Sequence, residues 1–538
     1  MPVVYENERN DKMKKKICSV LVAASLLVCA GCTDKTANKN VEKGSGEMPE
    51  SISIFCEMGG YALKAGATDN NGILGFQEME KKTGCHIDWV HPTTGAAEEK
   101  FNLMIASGKL PDMIVWHWWD VSGGAQSFAD DGVIIPLTDM VEEYMPNLTK
   151  FLNENPDVKK QIVADDGEIY YVPIIRKDKQ LKVFEGPQIR MDWLEKLGLD
   201  VPTTPEQLYE TLKAFKEKDP NGNGERDEIP MSGVGFNNEA FGIGNLLWGF
   251  GTNYDFYIKD GKVTYPLLES EFDEGLAYIT KLYKENLIDS DYLLNDRDKM
   301  DSKVMSNKTG FVYSMQPGMY YNNINDGTRK VLGIPHPSVK DGIDNVYAPS
   351  YIQDTTYASM AVTTANKNPA GCLKWLDNFY GGEGEVIANF GEEGKTYEMV
   401  DGKHKLTDYI LKNPDGKTPQ EMLGASLVSY QATFPCMQTW EYYEQILTPW
   451  GRESIETWAG SARTTGILPK LSFNSEENRE IANKMTDIST YFNEQVNKII
   501  IGQESIEHLD EVRKKAQKMG LDDIVKIYND AYKRYMSR

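Results

Sequence analysis

The chain has 538 residues, with 58 basic and 81 acidic side chains and a net charge of −23 at neutral pH. A balance this acidic argues against a nucleic-acid or anionic-membrane surface, either of which needs a basic patch. The length exceeds what one hydrophobic core supports, so at least two domains are expected.

Lys14, Lys15 and Lys16 precede an apolar run from Ile17 to Ala30. That run is too short to span a bilayer as a helix and has the form of an export signal. It ends in Ala30, Gly31 and Cys32, which resembles the bacterial lipobox, where the cysteine is lipidated and becomes the new N-terminus. Cys29 stands where a leucine is usual. Residues 1–12 are polar, and translation is expected to start at Met13. Removing residues 1–31 takes away five basic and three acidic side chains, leaving 53 and 78, a net charge of −25. No later apolar segment reaches the ~18 residues of a transmembrane helix. The expectation is a body on the extracellular face of the membrane, anchored through lipid on Cys32 and joined to it by a polar tether over 33–50.

The body opens on alternating elements. Ile52 to Phe55 reads as a strand, Leu74 to Thr83 as an amphipathic helix stopped by Gly84, and Cys85 to Val90 as a second strand. Lys100 to Ser107 reads as a helix stopped by Gly108, and Met113 to Trp116 as a third strand. This order implies α/β architecture with a parallel sheet, and a ligand crevice beyond the carboxyl ends of the strands. The loops after the first and third strands hold Glu57 to Tyr61 and Trp116 to Asp120. Strand and helix continue to alternate through the middle, and Ser475 to Arg538 is expected to be helical, with breaks at Gly502 and Gly520.

Four cysteines of the body, Cys56, Cys85, Cys372 and Cys436, are scattered without paired spacing, so free thiols are expected rather than a disulfide framework or a cysteine metal site. Cys56 ends one strand and Cys85 starts its parallel neighbour, which places them at opposite ends, beyond the ~7 Å Cα limit for bridging. Six histidines, none spaced i,i+4, give no zinc motif.

The sharpest motif runs from Asp219 to Glu228. Asp219, Asn221, Asn223 and Asp227 place oxygens at positions 1, 3, 5 and 9, with Gly224 at 6 and the Glu225 carbonyl at 7, the spacing of a calcium loop. Position 12 is Pro230 rather than a bidentate glutamate, and Glu228 at position 10 can supply that carboxylate. A helix from Pro205 to Lys218 precedes the loop and extended chain follows it, which suits a structural staple rather than a sensor. A polar turn without an ion is the bland alternative.

Trp116, Trp118 and Trp119 crowd the end of the third strand beside Asp120. Large aromatics are usually core, but three together beside a carboxylate offer faces for sugar rings and acceptors for hydroxyls. Trp118 and Trp119 are the expected stacking platform, while Trp116 continues the strand's alternation and is expected to be core. Trp193, Trp248, Tyr254, Tyr320, Tyr321 and Trp440 are further candidates. There is no Gly-x-Ser-x-Gly elbow, Walker loop or His-Glu-x-x-His motif.

Several segments together resemble a known family: Ser107 to Asp112, Asp166 to Pro173, Arg190 to Gly198, the Asp219 loop, and the terminal helices through Tyr535. The family is the lipid-anchored family-1 extracellular solute-binding proteins of ABC sugar importers. The likeness is to its large calcium-carrying subgroup, which includes alginate-oligosaccharide-binding proteins and LplA-type lipoproteins of Gram-positive bacteria. The resemblance implies a two-lobed periplasmic-binding-protein-like fold of type II with a hinge. One lobe would comprise 51–172 and about 348–430, the other 173–347 and about 431–538, with a first crossover at 168–173. It implies Ca²⁺ at Asp219, Asn221, Asn223, Glu225, Asp227 and Glu228. It also implies ligand contacts from the Trp116 to Asp120 loop and from the segment ending at Tyr320; with the candidates read from the residues, the expected sugar site comprises Glu57, Tyr61, Trp116, Trp118, Trp119, Asp120, Arg190, Trp193, Trp248, Tyr320 and Trp440. The partners implied are an oligosaccharide and ABC permease subunits, with no enzymatic activity. A surface glycoside hydrolase and a structural or adhesive lipoprotein are the alternatives. Net charge alone does not decide between neutral and acidic glycans.

Overall fold

The computed structural model describes residues 43–119, 121, 123–316, 329–339, 354–413, 415–430, 432–462 and 466–538. The predicted opening order is present: β1 (Ser51–Phe55), a helix at Leu74–Thr83, β2 (His86–Val90), a helix at Ala97–Ser107 and β3 (Met113–Trp116). Both helices stop where predicted because Gly84 and Gly108 adopt left-handed φ of 71° and 66°, which a glycine reaches without Cβ strain. The strands that follow are β4 (Val172–Arg176), β5 (Glu185–Arg190), β6 (Ile229–Met231), β7 (Tyr257–Lys259), β8 (Lys262–Thr264), β9 (Thr309–Met315), β10 (Val331–Gly333), β11 (Thr355–Val362), β12 (Tyr397–Val400), β13 (Lys403–Leu406) and β14 (Met437–Gln438). The pairs β7–β8 and β12–β13 are separate antiparallel hairpins.

Ten strands build two sheets. One has the order β14-β4-β11-β3-β1-β2, the other β10-β5-β9-β6. In the six-stranded sheet, β1 runs parallel to β2 and β3, and β4 parallel to β14. The late strand β11 inserts antiparallel between β3 and β4, with Ser359 opposite Trp116. Burial on both faces matches the continuous apolar runs Met113–Trp116 and Val172–Arg176. The four-stranded sheet packs under the helices Pro205–Glu217, Ser270–Lys284, Ser475–Ile500 and Leu521–Met536. Their shared core includes Trp193, Phe215, Leu276, Phe311, Phe492 and Ile524. The C-terminus is therefore helical, with breaks at the predicted glycines, whose φ values are 76° (Gly502) and 102° (Gly520).

The chain passes from the first sheet to the second at 177–184; it changes sheets again between β10 and β11, and once more between β14 and the helix Ser475–Ile500. The first crossing falls later than 168–173, because Val172–Arg176 still pairs with β11 and β14 in the six-stranded sheet. β14 likewise belongs to that sheet, although 431 onward was expected with the other. The crossings are tied to one another. Lys182 forms an ion pair with Asp354, Lys179 Nζ donates to the Ala459 carbonyl at 3.1 Å, and the Trp440 N–H donates to Asp178 at 2.6 Å. On the third crossing, Trp458 of the helix Pro449–Ser461 lies so close to the second sheet that a Cβ at Gly186 or Gly333 would come within 2.7 Å of its ring.

Among the described residues no helix is long and apolar enough to cross a membrane. Cys56, Cys85, Cys372 and Cys436 are free and buried. The expected leader, Cys32 and most of the expected tether lie outside the described residues.

Candidate functional site

In the six-stranded sheet, the parallel strands deliver Glu57–Tyr61, His91, His117–Trp119, Lys177 and Thr439–Trp440 to their carboxyl ends. In the four-stranded sheet, β6 runs parallel to β9 and β5 antiparallel to it. The carboxyl ends of β6 and β9 therefore share an edge with the start of β5, where Phe184 and Glu185 lie. The crossing at 177–184 joins the carboxyl end of β4 straight to that edge. Both sets of loops are thus brought to one connection, the place where open α/β sheets bind ligands.

On the first sheet's side, Trp116 stacks on Phe101 with centroids 4.3 Å apart and planes 3° apart, and also touches Phe55, a packing position. Trp118 corrects the expectation of a stacking platform. It is 0% exposed, its ring meets Phe101 and Phe128 edge-on, and its Nε1–H donates to the Ile114 carbonyl at 3.0 Å. The turn after β3 folds this side chain back into the core. Trp119 remains half-buried, with the Lys470 ammonium 4.3 Å from its ring centroid. Glu57 is exposed, and Tyr61 is half-buried with its ring 5.7 Å from that of Tyr430. Trp440 is half-buried, 5.8 Å from Tyr443. Asp120, Tyr320 and Tyr321 lie outside the described residues.

Arg190 and Trp193 are also corrected. The crevice end of β5 is Glu185, so Arg190, six residues long into the strand, emerges at the far edge. There it is 2% exposed, bonded to Asp192 at 2.6 and 2.8 Å and to Asn307 at 2.6 Å, and lies over Trp193, itself 1% exposed against Phe215. Trp248 is buried and Tyr254 half-buried, with centroids 6.4 Å apart.

Sequence reasoning missed several residues at the crevice. Arg176, at the end of β4, reaches the Gln438 amide oxygen at 3.3 Å and lies 5.3 Å from the Phe184 ring, which in turn meets Tyr443 edge-on at 5.4 Å. Glu185 begins β5, Glu239 sits on the loop after β6, and Asp255 follows Tyr254. Surrounding protein raises all three carboxyl groups. For Glu185, burial is the main cause and the negative charge of Glu239 adds to it, against a smaller opposing pull from Arg297, so that it is pushed up to about 8. Burial raises Glu239 and Asp255, and Asp255 further raises Glu239. Glu239 and Asp255 are nevertheless exposed to solvent. Both are crowded by protein while still reaching water. Glu185 heads a strand that also carries Gln188 and Arg190, so nothing in the sequence singles it out or pairs it with the other two.

The Asp219 loop is tightly wound. Asp219 has a φ of 45° and accepts the backbone N–H groups of Gly222, Asn223 and Gly224. Asn221 and Asn223 oxygens accept the N–H groups of Asn223 and Glu225. Asp227 is held by Lys308 at 2.7 Å and by the side-chain amides of Asn221 and Asn223, and these bring its carboxyl down to about 2. Glu228 Oε2 is buried with no hydrogen-bond partner, and burial raises its carboxyl. The carboxylates do not close on one point: among the described residues no group of three His, Cys, Asp or Glu is arranged to hold a metal.

The family model for bacterial extracellular solute-binding proteins matches residues 59–385. The chain belongs to that family. Among the relatives of this solute-binding protein, the fructooligosaccharide ABC transporter substrate-binding protein FusA of Streptococcus pneumoniae is 30% identical, over 96% of this chain and 98% of FusA. Lipoprotein LipO of Bacillus subtilis is 27% identical over 73% of this chain and 75% of LipO. The polygalacturonan/rhamnogalacturonan-binding protein YtcQ of the same organism is 25% identical over 51% of this chain and 53% of YtcQ. FusA in complex with kestose superposes with a TM-score of 0.68 at 27% identity, covering 90% of this chain and 99% of FusA. An EF-hand mutant of FusA in complex with fructo-nystose gives the same score at 26% identity and the same coverage.

Proposed function

We propose that this solute-binding protein captures an oligosaccharide outside the cell and hands it to the permease of an ABC transporter, held at the membrane by lipid on Cys32. The observation that carries the reading is the crevice. Aromatic faces at Trp119, Tyr61 and Trp440 and polar groups at Arg176, Glu185 and Glu239 meet where three crossings join two sheets, in a chain that matches FusA almost end to end. Each sheet with its helices forms a lobe, and bending at the crossings closes the lobes on the sugar. Titration calorimetry over a panel of oligosaccharides tests this. One or more should bind with one-to-one stoichiometry and be recovered unshortened. Shortened products would make the protein a hydrolase, and no binding to any member would end the reading.

Calcium belongs to the same proposal. Ca²⁺ takes six to eight oxygens, and the loop offers the side chains of Asp219, Asn221, Asn223, Asp227 and Glu228 with the Glu225 carbonyl. The unpartnered, buried Glu228 Oε2 fits a cation ligand. When bound, the ion would supply charge compensation to the loop and staple it. Because it binds the folded state, chelation lowers the melting temperature while sugar stoichiometry stays the same. If metal analysis finds no calcium and a chelator leaves the melt unmoved, the loop is a turn and nothing more.

A further inference from the structure

Relatives of this chain include proteins named for uncharged fructooligosaccharides and for acidic polygalacturonan, so the class of glycan is open. The wall contributed by the four-stranded sheet has a chemistry of its own. Glu185, Glu239 and Asp255 come from three separate segments and act on one another electrostatically, with Arg297 as the opposing cation at Glu185. Arg297 is itself engaged, lying 5.3 Å from the Phe241 ring and 3.4 Å from Asp301. Arg176, across the crevice, is packed on Phe184.

A second, independent observation points the same way. Asn245, 0% exposed, donates its amide N–H to the Glu239 carbonyl at 2.9 Å, and its Oδ1 has no hydrogen-bond partner. Gln316 is 3% exposed, its backbone N–H donates to the Phe184 carbonyl at 2.8 Å, and its Oε1 is likewise without a partner. The two amides flank the carboxylates, beneath the Glu239 turn and beside the start of β5. Unsatisfied buried acceptors are costly, and what they need is a donor.

We infer that this wall, through Glu239 and Asp255 with the two amide oxygens beside them, accepts hydrogen bonds from uncharged, hydroxyl-rich oligosaccharides and rejects uronate-containing ones. The inference rests on the glycan-capture reading above. A sugar hydroxyl donates to a carboxylate or amide oxygen. A uronate keeps its ring hydroxyls, but its carboxylate replaces a hydroxyl donor with acceptors and brings a further negative charge into a place where burial already strains the charges present.

The test compares one ligand with its own charged form. From a calorimetric panel containing kestose, nystose, maltotriose and cellotriose on one side and trigalacturonate and alginate trisaccharide on the other, the tightest uncharged binder is taken. It is then oxidised at one primary hydroxyl to the uronate. We expect the panel's binders to be uncharged and the oxidised ligand to bind at least tenfold more weakly. In the double variant E239Q/D255N this ratio should shrink to under threefold, whatever happens to absolute affinity. A ratio that stays tenfold or more in a variant that still melts cooperatively overturns the inference. Binding of trigalacturonate or alginate trisaccharide in preference to the uncharged sugars also overturns it while leaving glycan capture intact. Absence of binding to the whole panel overturns glycan capture and this inference with it.

Discussion

The turn after β3 and the wall opposite it reached their present roles by opposite routes. Three tryptophans in four residues announce themselves in the sequence, yet Trp116 stacks on Phe101, Trp118 is fully buried against it, and Trp119 is left half-buried and outside that cluster. Glu185, Glu239 and Asp255 are spread along seventy residues and announce nothing, yet the antiparallel placement of β5 beside β9 and the loop after β6 gathers them on one wall. Local density of a residue type reports what a core needs as readily as what a ligand needs. Convergence from separate segments is made by topology.

Trp118→Ala is the hardest test of that contrast. If Trp118 is core, truncation should cost roughly 3–5 kcal/mol of stability, read by denaturant unfolding, with sugar affinity within threefold of wild type at a temperature where the variant is folded. A lost affinity with unchanged unfolding would return Trp118 to the site.

Next come Trp119→Ala and Trp440→Ala, whose half-exposed rings should be worth about 2 kcal/mol to binding, near thirtyfold in affinity. Calorimetry beside thermal melts checks this. Melts that drop while affinity holds would make both rings packing residues too.

Asp165→Asn probes a tie between the two halves. Asp165 accepts from Arg534 at 2.6 Å and from Arg538 at 2.5 Å, and Arg534 is also bonded to Glu477. These pairs join the segment before β4 to the last helix. They are partly solvated, so their loss should cost only about 1 kcal/mol and should matter less at high salt, where unfolding curves of variant and wild type would converge.

A tilt with pH tests the wall itself. Glu185 is pushed up to about 8 in the folded protein, against ~4.3 in an unfolded chain. Between those values the native state keeps a proton that the unfolded state has lost, so stability falls as pH rises through this window and is unaffected below it. Glu185→Gln removes the titrating group and should flatten the melting temperature between pH 5 and 8. A wild type already flat there would mean that Glu185 is ionised, and the wall correspondingly less crowded.

Much of the fold was legible because it is local. Periodicity and a stop glycine place the helix Leu74–Thr83 to the residue, and the helix Pro205–Glu217 and strand Met113–Trp116 follow from the same signals. The insertion of β11 between β3 and β4 was not legible, since it depends on a segment some 240 residues further on. The position of Arg190 illustrates the same limit at the site. Its neighbourhood in sequence pointed to a ligand contact, whereas the direction of one strand carried it to the wrong edge. The Asp219 loop lies between these cases: spacing alone located its turn and its oxygens, but not the pull of Lys308 on Asp227.

The strand order of the larger sheet carries a consequence for how the protein is made. Its central position belongs to β11 and its edge to the two-residue β14, so a sheet begun at Ser51 is finished only when Gln438 is available. The smaller sheet is drawn from one continuous stretch, Glu185 to Gly333, but its covering helices include the last ones of the chain. Neither half can complete its core from the residues that leave the ribosome first. Pairings at such sequence separation form slowly. Refolding from denaturant should accordingly be slow, with native fluorescence of the β3 tryptophans returning late. A fragment ending before β11 should not acquire it at all.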